Sequence, residues 1–299
     1  MRSWLILVAI FLSVTTAAFP QSGYVAQITK WRAEHEKQLR SEGDWLTVAG
    51  LFWLKRGVNT VGSGGKYDVE LTRSFPKGKF GDITLSEHGA VLAVAPGVKA
   101  FAGDIPVSTM TGEQIVPPVE LVPDDPGPAT KIKIGSESFY VIKRGEKLGI
   151  RLKDNNNPAR LNFRGEKWYP VNAGYKVVAT LEPYPEPKPV KVPNVLGGSF
   201  DYKPPGLLHF ILAGKEYTLM PVIEEDHLFI IFRDLTSKTI TYGAGRFLYA
   251  PMPKDGKVEL DFNKAENPPC AFTEFATCPL PPQQNKLNVA IPAGEKRNH

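Results

Sequence analysis

The spacing of apolar residues predicts one amphipathic helix near the start of the chain. Apolar or aromatic side chains recur there every three or four positions, at Ile28, Trp31, His35 and Leu39. This is the period of a helix with one buried face, and we place it at residues 25–41, ended by Gly43. The apolar segment that follows, residues 45–54, fits either a second short helix or a buried strand.

From Gly57 onward the pattern changes to short runs of β-branched or alternating residues. Turn-forming residues separate these runs, and the chain contains 27 glycines and 27 prolines. The strands predicted in the middle of the chain are residues 67–71, 83–85, 91–94, 131–134, 139–142 and 149–152. Short strands at regular intervals with turn residues between them are typical of a β-sandwich or barrel.

The last third of the chain predicts an antiparallel meander. Two runs, residues 207–212 and 217–222, flank an Ala213-Gly214 pair that suits a hairpin turn. Further strands are predicted at residues 227–232, 239–242, 246–249 and 257–262. The predicted fold class is therefore mainly β: an N-terminal helix, a β-sandwich-like region, and a C-terminal antiparallel sheet or partial barrel.

These patterns divide the chain into four parts. They are a signal peptide at residues 1–18, an N-terminal helical segment at 19–56, the β-sandwich-like region at 57–158 and the C-terminal antiparallel β region at 159–299. The last part also carries the motifs Asp261-Phe262-Asn263, Asn267-Pro268-Pro269-Cys270 and Cys278-Pro279-Leu280-Pro281-Pro282.

The N-terminal residues predict export. Arg2 precedes an apolar run at residues 4–14, and two small residues, Thr16 and Ala18, occupy the cleavage positions before Phe19. This is the layout of a secretory signal peptide, and the run is shorter than the roughly 20 residues that span a bilayer. We expect a secreted or periplasmic protein with no transmembrane segment once the signal peptide is removed.

Composition and charge argue against several classes of partner. The net charge is +5 at pH 7, and the lysines and arginines are scattered among acidic residues, unlike those of a nucleic-acid-binding surface. No two of the five histidines have metal-ligand spacing. Walker loops, zinc-helix motifs and nucleophile elbows are absent from the sequence. We expect no metal, no cofactor and no nucleic acid, and the sequence indicates no oligomeric state.

Cys270 and Cys278 are the two cysteines of the chain. In an oxidising compartment a disulfide is the expected state of an isolated pair, and closing so short a loop stabilises a fold by roughly 2.5 kcal/mol. The alternative is a pair of free thiols, with one acting as a nucleophile or both acting as metal ligands.

A resemblance to a known family rests mainly on the last third of the chain. The motifs that carry it are Arg233-Asp234, Thr241-Tyr242, Arg246-Phe247-Leu248, Leu260-Asp261-Phe262-Asn263, Asn267-Pro268-Pro269-Cys270-Ala271-Phe272-Thr273, Cys278-Pro279-Leu280-Pro281-Pro282 and Asn285. Upstream matches include residues 50–54 and Gly149-Ile150-Arg151. With these motifs the chain resembles the bacterial and archaeal family called domain of unknown function 1684. The resemblance implies no particular activity.

The sandwich-like region resembles a second family more loosely. Residues 57–63, 68–71 and 86–91 are similar in outline to a forkhead-associated β-sandwich. That fold binds phosphothreonine through an arginine after its first glycine motif, whereas this chain has Ser63 at the matching position. The resemblance therefore implies a β-sandwich and not phosphopeptide binding.

Polar side chains among the short C-terminal strands predict a ligand site. The candidate ligand-binding residues are Arg233, Tyr242, Arg246, Asp261, Asn263 and Asn267. Asp261 and Asn263 share one face of a strand. Arg246 has apolar neighbours and must be paired to be buried, with Asp234 or Asp261 as its partner. We expect Arg246 and Asp261 to converge in a cavity near the cysteine loop that takes a small polar or anionic ligand.

The function that the sequence favours is a cell-envelope protein that binds or interacts with a small ligand. One alternative is a hydrolase-type enzyme, with Asp261 as general base or Cys270 as nucleophile. The second alternative is a purely structural envelope component, in which the C-terminal motif only packs.

Overall fold

The computed structural model describes residues 21–107, 118–186 and 188–298, so the predicted signal peptide lies outside the described residues. This part of the chain contains two α-helices, α1 (Gln21–Leu39) and α2 (Pro158–Leu161). Neither combines the length and the apolar character needed to cross a bilayer. The described residues also form five short 3-10 helices: Trp45–Thr47, Ala173–Tyr175, Phe262–Lys264, Pro269–Ala271 and Gln283–Asn285.

The N-terminal half is built from strands that form two sheets. In the described residues these strands are β1 (Val48–Trp53), β2 (Gly57–Ser63), β3 (Val69–Glu70), β4 (Gly78–Ser86), β5 (Gly89–Val94), β6 (Phe101–Ala102), β7 (Ile105–Pro106), β8 (Val119–Leu121), β9 (Ile132–Ile134), β10 (Glu137–Arg144) and β11 (Lys147–Asp154). One sheet has the order β1-β11-β10-β9-β6-β7, and the other has the order β3-β2-β4-β5-β8. Strands β2 and β3 pair in parallel, and the other pairs are antiparallel.

The two N-terminal sheets pack around one core and form a sandwich. Phe80, Ile83 and Leu92 of one sheet belong to the same buried cluster as Phe139 and Ile150 of the other. Phe80 and Phe139 meet edge to face with ring centroids 5.9 Å apart, which is a favoured geometry for aromatic pairs. The sandwich-like region predicted from the sequence is thus present, and its likeness to a forkhead-associated domain stays a prediction.

The C-terminal half contains three antiparallel sheets. Its strands in the described residues are β12 (Lys176–Pro183), β13 (Val190–Pro193), β14 (Ser199–Tyr202), β15 (Gly206–Leu212), β16 (Lys215–Leu219), β17 (Val222–Glu224), β18 (His227–Phe232), β19 (Arg246–Pro251) and β20 (Lys257–Asp261). The sheet orders are β16-β15-β12-β20, β17-β18-β19 and β13-β14. None of these sheets closes on itself within the described residues. Of the two predicted architectures for this region, the antiparallel sheet is observed and the partial barrel is not.

Strand β18 is buried on both faces, which explains its unbroken apolar sequence. Leu228, Ile230 and Phe232 point into the core that the three-stranded and four-stranded sheets share. Phe229 and Ile231 point the other way, into a second buried cluster. The strand therefore lies in the middle layer of the C-terminal half.

Near the N-terminus the predicted elements agree with the structure in kind and differ at their ends. Helix α1 begins earlier than predicted and ends at Leu39, followed by Gly43 in a left-handed conformation with φ 73°. The segment 45–54 contains both alternatives that its pattern allowed, because a 3-10 turn at Trp45–Thr47 leads directly into β1.

The strand predicted at residues 239–242 is wrong. The carbonyl of Thr236 accepts backbone hydrogen bonds from Thr239, Ile240 and Thr241, and the Asp234 carboxylate accepts from the Thr236 backbone and hydroxyl, each at 2.6 Å. Short polar side chains can offer the backbone such local partners in place of a sheet ladder. The segment therefore forms a compact turn between β18 and β19.

Helix α1 and the loop after it hold the two halves together. Arg32 donates through Nη1 to the Tyr169 carbonyl at 2.9 Å and through Nη2 to the Asn263 carbonyl at 3.1 Å, both in the C-terminal half. The Gly43 N–H donates to the Asn155 side chain of the N-terminal half at 3.0 Å. The N-terminal segment thus spans the junction between the halves.

Candidate functional site

A cavity of about 630 Å³ lies between the two halves. This volume is within the range of sites that bind small molecules. Its walls come from the last turns of α1, from the outer face of β10 and β11, from strands β14 and β17 to β19, and from the segment that contains the two cysteines. The cavity is therefore a product of the assembled chain and not of either half alone.

Strand β11 places Arg151 in the wall of this cavity. Ile150 and Leu152 point into the sandwich core, so the alternation of the strand directs Arg151 to the opposite face, where it is only 2% exposed. Its guanidinium carbon is 5.0 Å from the centroid of the Trp45 ring, and its Nη2 donates to Thr277 Oγ1 at 3.3 Å. In the described part of the chain, its Nε has no hydrogen-bond partner and no carboxylate forms an ion pair with it.

Arg144 of β10 also lines the cavity, but it has a counter-ion. Its Nη1 and Nη2 donate to the two carboxylate oxygens of Asp124 at 3.0 and 2.9 Å, the bidentate geometry of a strong ion pair. Its Nε donates to Thr277 Oγ1 at 2.9 Å, so one hydroxyl oxygen accepts from both arginines. Arg151 is the one of the two with a free donor, and burying an unpaired charge of this kind is costly.

The opposite wall of the cavity is aromatic. Phe229 contacts Phe247 edge to face and stacks on Tyr249, with ring centroids 4.7 and 4.9 Å apart. Phe200 and Tyr202 of β14 extend the same wall. Mostly apolar walls with a few convergent polar groups are typical of sites for small organic molecules.

The end of the cavity nearest α1 carries a histidine held by two carboxylates. His35 Nδ1 is 2.9 Å from Glu166 Oε1, and Nε2 is 3.0 Å from Glu266 Oε2. Burial by itself would lower the pKa of His35, but the two carboxylates raise it to about 10. The ring is therefore an imidazolium at neutral pH, with no lone pair available for general-base chemistry.

Glu295 lies behind this histidine and is fully buried. Its Oε2 accepts a hydrogen bond from the Asn267 N–H at 2.7 Å. Burial raises the pKa of Glu295 to about 8, and the nearby charge of Glu166 contributes in the same direction. Glu295 is therefore mostly protonated at neutral pH.

A row of polar groups connects the acidic end of the cavity with the arginines. The Tyr249 hydroxyl lies 3.5 Å from Glu224 Oε2, and burial raises the pKa of both groups, with the charges of Glu224 and Glu266 adding to the effect on the phenol. Burial also raises the pKa of Tyr202 to about 12, with Glu224 raising it further and Arg144 opposing. The charges of Glu224 and Arg144 thus both act on the Tyr202 phenol.

Asn267 is the predicted ligand-binding residue that the structure brings to the cavity. Its Nδ2 donates to the Lys296 carbonyl at 2.9 Å, which fixes the orientation of the amide because a flipped amide would oppose two oxygens. Its Oδ1 is buried and has no hydrogen-bond partner within the described ranges. Asn267 therefore holds an unpartnered acceptor within the lining of the cavity.

Arg246 forms an ion pair with Asp234. The expected convergence of Arg246 and Asp261 in the cavity is therefore not observed. Arg246 Nη2 is 2.6 Å from Asp234 Oδ2, and both side chains are buried. Its guanidinium also donates to the carbonyls of Ala293 and Ile291, the latter at 3.1 Å. Of the two partners that the sequence allowed, Arg246 binds Asp234, because the turn after β18 brings that carboxylate alongside β19. These contacts tie β19 to the end of the chain.

Asp261 and Asn263 fix the junction between β20 and helix α1. Asp261 Oδ1 accepts from the Tyr24 hydroxyl at 2.7 Å and from the Asn263 N–H at 3.1 Å. Asn263 Nδ2 donates to the Tyr24 hydroxyl and to the Asn172 carbonyl, each at 2.9 Å. Both side chains are buried, and these contacts have a structural role.

Tyr242 and Arg233 also lie outside the cavity lining. The Tyr242 hydroxyl donates to the Cys270 carbonyl at 2.9 Å, and Arg233 forms a backbone bridge with Lys286. As ligand-binding residues, these two remain predictions from the sequence, as do Arg246, Asp261 and Asn263.

The two cysteines form the predicted disulfide, Cys270–Cys278. The bridge leaves no thiol on Cys270 for nucleophilic catalysis. Cys278 lines the cavity, and the neighbouring Thr277 accepts from both arginines, so the bridged loop joins the C-terminal motif to the N-terminal sandwich. Across the described residues, no group of three or more histidine, cysteine or acidic side chains is placed to hold a metal ion.

Sequence reasoning missed Arg151, Arg144 and Thr277 as site residues. An arginine between two core positions of a strand points away from that core, and the pattern alone predicts solvent on that side. The available signal was the Gly149-Ile150-Arg151 motif, which belongs to the family resemblance and coincides with β11.

Comparisons with known proteins give a family and no activity. A family model described as "Protein of unknown function (DUF1684)" matches residues 161–296. Among solved structures, the chain is similar to the solution NMR structure of an uncharacterized protein from Haloarcula marismortui, with 31% sequence identity over 46% of this chain and 78% of that chain, and a TM-score of 0.39. A search of curated proteins found no match to the chain.

Proposed function

We propose, for a chain that belongs to the DUF1684 family of proteins of unknown function, that it binds a small organic anion in the cavity between its two halves. The observation that carries the proposal is Arg151, which lines the cavity and is 2% exposed. Its Nε has no partner within the described residues. An anion at this position would remove the cost of burying its unpaired charge.

The groups around Arg151 suit a carboxylate or a phosphate oxygen. A planar guanidinium binds such anions through two parallel hydrogen bonds. Because Thr277 Oγ1 already accepts from Arg144 and Arg151, its own proton is directed towards a third acceptor. Because Arg151 Nε is itself fully buried, a ligand anion would receive that proton together with a hydrogen bond from the outer guanidinium nitrogens of Arg151.

The aromatic wall favours an organic ligand over a free inorganic ion. Phe229, Phe247 and Tyr249 offer apolar surface opposite the arginines. Burying an apolar ligand surface contributes roughly 25 cal/mol per Å², whereas a small hydrated anion gains nothing from that wall. The ligand would therefore carry its anionic group on an apolar or aromatic body.

The same proposal includes export to the periplasm or the extracellular space. Residues 1–18 have the layout of a signal peptide, and a disulfide such as Cys270–Cys278 persists in oxidising compartments. The protein would then act as a ligand-binding component of the cell envelope.

Calorimetric titration with 3-phenylpropionate and its uncharged amide tests the anion site. We expect the acid to bind the native protein more tightly than the amide. Replacing Arg151 by glutamine should weaken binding of the acid by about tenfold or more, since a charge-assisted hydrogen bond contributes about 1.5–3 kcal/mol, and should leave the amide unaffected.

Arg73→Gln is the matched control, because Arg73 is exposed and lies outside the cavity lining. Thermal unfolding separates lost binding from lost folding, and Arg151→Gln should not lower the melting temperature because it removes an unpaired buried charge. Equal affinity of the native protein and Arg151→Gln for the acid would refute the anion site.

A further inference from the structure

We infer that the ligand is a zwitterion of the amino-acid or short-peptide type, with its ammonium group at the acidic end of the cavity and its carboxylate at Arg151. This inference rests on the proposed anion site and deepens it. The proposal concerns the part of the same cavity that is lined by Asn267, Glu224 and Glu266.

The first observation is the free acceptor of Asn267. Its residue is 3% exposed, it lines the cavity, and its Oδ1 has no hydrogen-bond partner in the described part of the chain. The Nδ2 donates to the Lys296 carbonyl at 2.9 Å, so the amide cannot turn to present a donor instead. A buried acceptor without a partner costs free energy until a donor reaches it, and a ligand ammonium or hydroxyl is such a donor.

The second observation is the charge at this end. Glu266 and Glu166 both lie against the one imidazole ring of His35, at 3.0 and 2.9 Å, so two carboxyl groups contact a single cation there. Glu224 is a further carboxylate of the cavity lining, which also includes Asp44 and Asp124. A cationic donor therefore suits this end better than a neutral hydroxyl.

The third observation is that acidic, basic and aromatic groups line the same cavity. Glu224 and Glu266 share this lining with Arg144 and Arg151, and with the rings of Phe229 and Tyr249. Aromatic faces attract an ammonium group through cation–π contact.

Lys264, which is close to Glu266, does not line this cavity. Lys264 lines a smaller adjoining cavity of about 240 Å³ together with Trp31, Tyr249 and Glu266. Its Nζ lies 5.9 Å from the centroid of the Trp31 ring, and Glu266 has His35 as its ion-pair partner among the described residues. The carboxylates at the cavity surface therefore keep their capacity for a ligand cation.

Three forms of leucyl-phenylalanine test this inference by calorimetric titration: the free dipeptide, its N-acetyl derivative and its C-terminal amide. The free dipeptide should bind more tightly than the N-acetyl form by about tenfold, the equivalent of one well-placed charged hydrogen bond. Glu224→Gln should weaken binding of the free dipeptide and leave the N-acetyl form unchanged. Glu225→Gln, the neighbouring exposed carboxylate, is the matched control and should change neither.

The outcomes separate this inference from the proposed function. Equal affinity for the free and N-acetyl dipeptides, with a weaker C-terminal amide, would overturn the zwitterion and leave the anion site standing. Equal affinity for the acid and the C-terminal amide would count against the anion site itself. Failure of all three forms to bind at millimolar concentration would overturn the amino-acid or peptide class, while the phenylpropionate titration still decides the anion site.

Discussion

Two arginines of the described residues are almost completely buried, Arg246 at 1% and Arg151 at 2% exposure. Arg246 has Asp234 and two backbone carbonyls as partners, whereas Arg151 has one hydroxyl and an aromatic ring. The extent of burial is the same, so burial alone does not separate a structural arginine from a binding residue. The partners make the difference, because only the incompletely paired charge gains from an added anion.

At the same scale, Glu295 predicts how stability depends on pH. Its pKa is raised from 4.5 to about 8 by burial, so below pH 4.5 the folded and unfolded chains both hold the proton. Between pH 4.5 and about 8 the folded chain keeps that proton and the unfolded chain does not, so stability falls as the pH rises. One such group contributes at most about 1.4 kcal/mol per pH unit.

Glu295→Gln should flatten the dependence of the free energy of unfolding on pH between 5 and 8, measured by urea denaturation. The glutamine keeps an acceptor for the Asn267 N–H and has no proton to lose. His35, whose pKa is raised to about 10, gives a remaining slope of the same sign above pH 6.5. Glu42→Gln, on the exposed surface, is the control, and an unchanged slope in Glu295→Gln would contradict the assignment.

Among the elements, the bridged loop 270–278 contributes residues both to the cavity wall and to the contacts with the two arginines. It carries Thr277, the hydroxyl that accepts from Arg144 and Arg151, and Cys278, which lines the cavity. The carbonyl of Cys270 in turn accepts from Tyr242. The disulfide therefore holds a contact between the halves as well as a local loop.

The double variant Cys270→Ala and Cys278→Ala should unfold with a free energy roughly 2.5 kcal/mol below that of the native protein. The physical reason is the restored freedom of the unfolded loop. Urea denaturation of the oxidised native protein, the reduced native protein and the variant measures the effect, and the last two should agree. A variant as stable as the oxidised protein would show that the bridge does not constrain the unfolded chain.

Individual elements were predictable where burial repeats along the chain. Helix α1 buries Ile28 and Leu39 on one stripe, and β18 is apolar after its exposed first residue, His227, because both faces of the following residues are covered. The segment 239–242 was not predictable in this way, because Asp234 and Thr236 fold it into a turn through their own side chains. Polar side chains that bond locally leave no mark on the apolar pattern.

For the whole molecule, the decisive feature is that two separately built cores meet across a cavity. The N-terminal sandwich and the C-terminal sheets each have a buried cluster of their own. Helix α1 and the bridged loop make the connecting contacts. A ligand that contacts both halves would stabilise the arrangement in which they are packed together, since binding to the folded state stabilises it by mass action.

The proposed export concerns the whole chain, and the intact mass of secreted protein tests it. Expression of the full sequence in a bacterial host with a secretory pathway should yield a mature chain that begins at Phe19, in the periplasm or the medium. Ala18→Arg, which removes the small residue before the cleavage position, should leave the precursor uncleaved. A full-length chain retained in the cytoplasm would argue against the signal peptide.

The sequence by itself determined the mainly β fold, the N-terminal helix, the sandwich followed by antiparallel sheets, the disulfide and the family. It did so because these features depend on short-range periodicity, turn residues or a distinctive motif. Only the tertiary structure decided which arginine faces the cavity. The alternation of β11 turns Arg151 away from its own core, and the residue is buried because Trp45 and the loop of Thr277, both distant in sequence from β11, cover that face.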